Sequence, residues 1–99
     1  MRIIAKRTLR EFWLQPGRQD SKSPLEAWHA EVSSSRWTTP QAIKSQFRNA
    51  SFLRGNRVVF DIAGNKYRLI VTIDYPRQVA LVKFIGTHRE YDGIDAETI

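Results

Sequence analysis

Cysteine is absent from the 99 residues, so the chain has neither a disulfide framework nor a thiolate metal site. Histidine is scarce as well, and His29 and His88 alone make a poor ligand set, so no metal or other cofactor is implied. Nowhere do about 18 uncharged apolar residues run together, which argues against a membrane-spanning helix. Met1 to Arg7 has no apolar stretch of signal-peptide length, which makes a cytoplasmic protein the expectation. Linkers, low-complexity tracts and internal repeats are missing, and one domain over residues 1–99 is expected at this length.

What is present points to a folded, basic protein. Hydrophobic residues make up 41% and aromatic residues 11%, too much for a disordered tail. Sixteen Lys and Arg against ten Asp and Glu give a net charge of +6, a field that attracts polyanions. Nucleic acid is therefore the leading partner class, although solvated basic proteins and partners of acidic proteins share the same balance.

Apolar periodicity divides the chain in two. Met1 to Ile4 reads as a short strand, and Leu9, Phe12 and Trp13 then fall at helical spacing until Pro16 and Gly17 stop the helix near Gln15. Ser23 and Pro24 read as an N-cap and first-turn proline for a second helix carrying Leu25, Trp28 and Val32 on one face. Thr39 and Pro40 repeat the device ahead of Ala42, Ile43 and Phe47. From Arg57 the period becomes two: Val58, Phe60 and Ile62, a turn at Ala63 to Asn65, a strand from Tyr67 to Ile73, a turn at Tyr75 to Gln78, and a strand from Val79 to Ile85. The near-continuous apolar character of that last strand predicts cover on both of its faces. The expected fold is α+β, with an N-terminal strand and helices packed on a mainly antiparallel sheet of about four strands. Trp13, Trp28 and Trp37 are assigned to packing, and His29 to a structural or solvated place.

Alternation puts Arg68 on the strand face away from Tyr67, Leu69 and Val71. An arginine in an apolar run needs water, a carboxylate or another anion for its guanidinium, and Lys83 poses the same question. One answer is snorkelling or pairing with Asp61 or Asp74, and the other is a phosphate-binding sheet face. Beyond the last strand, Gly86 to Asp92 gathers His88, Glu90 and Tyr91. RNA cleavage by a 2′-hydroxyl needs a base, an acid and cations for the phosphorane charge. His88, Tyr91, Arg68 and Lys83 include the side-chain types for these tasks, while surface and packing roles remain open for His88 and Tyr91.

The segment Gly64-Asn65-Lys66-Tyr67-Arg68-Leu69, followed at this distance by Thr87-His88-Arg89-Glu90-Tyr91-Asp92, resembles the core of HigB-type toxins of the RelE superfamily. The likeness is strong over the last half of the chain and loose over the helical first half. It implies a RelE-like fold, entry into the ribosomal A site and metal-independent cleavage of messenger RNA there. It further implies neutralisation by a HigA-like helix-turn-helix antitoxin, through which operator DNA would be met indirectly. By the same resemblance Arg68 matches the strand arginine on the scissile phosphate, and His88 stands where a residue serving the leaving group is placed. Tyr91 corresponds to a C-terminal tyrosine, at a shorter spacing from Gly86, and Lys83 to a phosphate or transition-state contact. Arg54, Arg57, Lys66, Arg77 and Arg89 would then follow RNA backbone, or else serve as solubilising charge. The rivals are a RelE-fold toxin that acts by binding without cleavage and a non-toxic RNA-binding protein.

Overall fold

A strand can have both faces enclosed only where something packs on each side, and Tyr67 to Ile73, with Leu69, Ile70 and Val71 in succession, carries apolar residues on both of its faces. In the computed structural model, which describes residues 1–99, this segment is the central strand of the sheet. The chain runs as β1 (Arg2–Ile4), α1 (Lys6–Trp13), a 3-10 turn (Gln19–Ser21), α2 (Lys22–Ser33) and α3 (Pro40–Gln46). It continues as β2 (Ser51–Leu53), β3 (Arg57–Ile62), β4 (Tyr67–Asp74), β5 (Val79–Thr87) and α4 (His88–Asp92). The strand order is β1-β5-β4-β3-β2, antiparallel except for the parallel pair of β1 with β5.

Helices α1, α2 and α3 cover one sheet face. Leu9, Phe12 and Trp13 from α1, Leu25, Trp28 and Val32 from α2, and Ile43 from α3 join Val58, Phe60, Ile62, Tyr67, Leu69, Val71 and Ile73 in one buried cluster. Phe60 is its aromatic hub, with ring centroids of Phe47, Trp28 and Trp37 at 5.0, 5.4 and 6.3 Å. Aromatic pairs at such separations add about 0.5–1.5 kcal/mol each beyond the area that they bury. All three tryptophans are thus packing residues, and His29 is half-buried with its Nδ1 3.3 Å from the Ser33 hydroxyl.

Several sequence expectations need correction. The sheet has five strands rather than four, because Ser51–Leu53 adds an edge strand against β3 that is too short and too exposed to show alternation. Helix α2 begins at Lys22, not after an N-cap at Ser23: the chain is already turning through the 3-10 segment, and the buried Ser21 hydroxyl donates to the Arg18 carbonyl at 2.6 Å. The strand enclosed on both faces is β4, where Leu69, Ile70 and Val71 are fully buried, and not β5, where Leu81 and Lys83 are exposed. Thr87 to Asp92 is more than a strand terminus, for a capping box between Thr87 and Glu90 starts α4 there. No helix is long and apolar enough to cross a membrane.

Removing a large aromatic from this core leaves a cavity that the surrounding helices cannot refill. Trp28→Ala should lower unfolding free energy by about 3–5 kcal/mol, whereas Arg89→Ala, exposed on α4, should stay within about 0.5 kcal/mol, both read from urea unfolding midpoints.

Candidate active site

The second sheet face carries no helix from the first half of the chain. The pairing register puts its side chains in rows: Asp61, Arg68 and Gly86; Val59, Ile70 and Phe84; Arg57, Thr72 and Leu81. Arg68 is therefore on the outer face, as its alternation with Tyr67 and Leu69 predicts. Its side chain is only 17% exposed, which demands a partner, and the Asp61 carboxylate opposite accepts from its Nη1. The pairing anticipated as one of two answers for Arg68 is thus present.

A second group meets the same guanidinium. The Tyr91 ring centroid lies 5.7 Å from the Arg68 guanidinium carbon, a cation–π geometry that puts the α4 tyrosine against the β4 arginine. His88 precedes Tyr91 by three residues and so lies on the same side of α4, about 5–6 Å away between Cβ atoms. Its Nδ1 is 3.3 Å from an Asp92 carboxylate oxygen, and its side chain is about half exposed, open to an incoming ligand.

Gly86 faces Arg68 from β5, and a β-carbon there would stand 2.6 Å from the Phe84 ring. The glycine lets Phe84 lie along the strand beside Arg68. Lys83 is exposed at an irregularity in the ladder: Val71 pairs with Val82 and Ile70 with Phe84, leaving Lys83 as the extra residue. No hydrogen bond or ion pair joins it to Arg68, His88 or Tyr91.

Two tethers place α4. Glu90 accepts the Thr87 backbone N–H at 2.8 Å and an Arg18 guanidinium N–H at 2.9 Å, tying the helix to the loop after α1. The Arg18 bond, helped by that backbone N–H, holds the Glu90 carboxyl below its usual range. Nearby, Asp20 receives the Tyr67 hydroxyl at 2.5 Å and the Lys66 ammonium. Lys66 foremost, then Tyr67, hold the Asp20 carboxyl low, while burial and then Asp20 push the Tyr67 phenol up. Arg18 escaped the sequence reading because 72 positions separate it from Glu90.

The other basic candidates do not form one patch. Arg57 donates from Nε and Nη2 to the Ile99 backbone oxygen at 3.0 and 2.7 Å, and Arg54 pairs with Glu97 at 3.2 Å. These ties bring residues 97–99 back beside Arg54 and the start of β3. Lys66 is engaged by Asp20 and Arg77 by Asp74, leaving Arg89 as the one of the five with neither an ion pair nor a side-chain hydrogen bond.

An α+β fold with helices on one face of a five-stranded, mostly antiparallel sheet is consistent with that of RelE-like toxins. The family whose sequence model matches residues 21–94 is the HigB toxin, the RelE-like toxic component of a toxin–antitoxin system, and the chain belongs to it. Membership implies an antitoxin partner. No curated protein matches the chain by sequence.

Because the Glu90 carboxyl is held below its ordinary value of 4.5, its bond to Arg18 contributes stability above that pH that is lost as pH falls through the depressed value. The thermal midpoint should therefore decline on acidification below 4.5, and Glu90→Gln should flatten that part of the acid limb while leaving the profile near neutrality parallel to that of the parent.

Proposed function

We propose that this toxin is a ribosome-dependent endoribonuclease that cleaves messenger RNA during translation. The observation that carries the reading is the meeting of Arg68 and Tyr91, on two different elements, with His88 one helical turn away. In the reaction a nucleotide's 2′-hydroxyl attacks the adjacent phosphorus and the bond to the 5′-oxygen breaks, leaving a 2′,3′-cyclic phosphate and a 5′-hydroxyl. Arg68 stabilises the phosphorane charge, Lys83 adds positive potential from the β5 irregularity, and His88 moves a proton as acid or base. Tyr91 holds the guanidinium in place through its ring.

Ribosome dependence has a physical basis. A 2′-hydroxyl is a weak acid, and one histidine beside one tyrosine makes a sparse proton-transfer set. Alignment of nucleophile and leaving oxygen by the ribosome supplies what the side chains lack. The protein would act in the cytoplasm on translated messages, and a HigA-like helix-turn-helix antitoxin would silence it and link it to operator DNA. Arg89, unpaired on α4, is the member of the predicted basic set best placed to meet RNA backbone near the site, with Arg54, Arg57, Lys66 and Arg77 released to RNA only if their carboxylate and backbone partners yield.

One observation favours a second reading. Asp61 already occupies Arg68, and a RelE-fold toxin that binds its target without cleavage has no need of a free guanidinium. The two readings separate on ribosomes programmed with a defined message, with cleavage mapped by primer extension. Cleavage is expected from the parent protein, about 100- to 1,000-fold slower for Arg68→Ala and at least about 100-fold slower for His88→Ala, the latter with an unchanged thermal midpoint and the former with a lowered one, because it leaves the Asp61 carboxylate without its partner. Tyr91→Phe should keep most of the activity that Tyr91→Ala loses, because the ring does the positioning. Absence of any cleavage by the folded parent protein would leave the binding-only reading.

A further inference from the structure

The strongest unassigned feature lies on the helical side of the sheet, away from Arg68 and Tyr91. A groove of about 500 Å3 runs between α1 and the start of α2, lined by Lys6, Arg7, Arg10 and Lys22, with Trp13 and Leu14 in its wall and Glu26 its only acid. All four cations are exposed, and of these only Arg7 has a carboxylate partner, Glu11 at 2.8 Å. Lys6, Arg10 and Lys22 make no ion pair. Three cations that form no ion pair, in one depression with a single acid, raise the local potential there.

Their spacing narrows the ligand. Lys6 and Arg10 are four apart on α1, so their side chains follow one line about 5–6 Å apart, with Lys22 joining from the neighbouring helix. A row of point charges suits a backbone of regularly repeated phosphates. Single-strand readers add aromatic platforms on which bases stack, but Trp13, the groove's one aromatic, is 6% exposed and committed to the core. Double-helical RNA keeps its bases inside and is read through backbone and shape.

We propose that the α1/α2 groove is a binding site for the phosphate backbone of double-helical RNA, separate from the outer face that carries Arg68, His88 and Tyr91. Lys6, Arg10 and Lys22 hold successive phosphates, and the outer face stays free for a second, single-stranded segment. A ribosome-dependent nuclease would gain a fixed docking point on folded RNA from such a site, but duplex binding itself needs no ribosome and no cleavage.

The test measures binding of the full chain to a fluorescent 20-base-pair RNA hairpin over a salt series, with an unstructured oligouridine and poly-L-glutamate as comparison probes. Lys6→Gln combined with Arg10→Gln should weaken hairpin binding about tenfold or more and make the slope of log affinity against log salt shallower by about 2, one for each lost cation. Arg36→Gln with Arg48→Gln removes the same charge elsewhere and should change the slope by less than half as much. Both pairs lie on the surface and should leave the thermal midpoint in place. Unchanged hairpin binding by the Lys6 and Arg10 variant overturns the site. Equal losses for oligouridine and hairpin overturn the duplex assignment, and tighter binding of poly-L-glutamate than of the hairpin assigns the groove to an acidic protein instead. Failure of ribosomal cleavage, by contrast, would leave these binding results intact.

Discussion

The alternation of β4 between two covers is the constraint on which the rest of the molecule depends. Leu69 and Val71 face the helices while Ile70 faces the other side, and all three are fully buried. An arginine one residue before Leu69 cannot turn into the helical core, so it must lie on the outer face, in a place shielded enough that its charge needs partners. Asp61, in register across β3, and Tyr91, brought back by α4, are those partners. Moving Arg68 by one position would put its guanidinium among Phe12, Phe60 and Tyr67 and leave no outer-face site.

The two sides of the sheet consequently serve different ends. The helical side supplies most of the burial, centred on Phe60, and can be basic on its far surface without cost to the core. The outer side has no helix layer of its own and is closed by the last part of the chain, through α4 and through the ties of Arg57 to Ile99 and Arg54 to Glu97. Val59 and Ile70 are buried on this side, and His88 is half exposed at its rim. Glu90 links the sides: its Thr87 bond starts α4, and its Arg18 bond reaches the loop leaving α1, whose guanidinium sits 4.7 Å over the Phe12 ring.

Local pattern was enough for elements whose signals lie within a turn or an alternation. The stripes of Leu9, Phe12 and Trp13 and of Leu25, Trp28 and Val32 revealed α1 and α2, and Thr39 with Pro40 marked the start of α3, where the Thr39 hydroxyl accepts the Ala42 N–H at 3.2 Å. Alternation marked β3 and β4 and put Arg68 on the correct face. It failed for β2, three residues with no alternation to see, and for α4, where the Thr87 and Glu90 capping signal precedes only five residues, too few to show a helical apolar stripe. It also misjudged β5, because apolar content along a strand does not say whether a second layer exists to cover it.

The sequence by itself determined which residues are apolar at period two or near period four, hence the core, the fold class and the outward aim of Arg68, since these follow from backbone geometry acting over a few residues. Its motif at Gly64 to Leu69 and Thr87 to Asp92 also determined the family. Tertiary structure decided what each charge meets: that Asp61, rather than Asp74, takes Arg68, that Arg57 holds the chain end instead of standing free, and that Lys6, Arg10 and Lys22 share a groove. Those outcomes depend on side chains brought together from distant segments by strand register and helix packing, and electrostatic partnership is set by distance in space rather than along the chain.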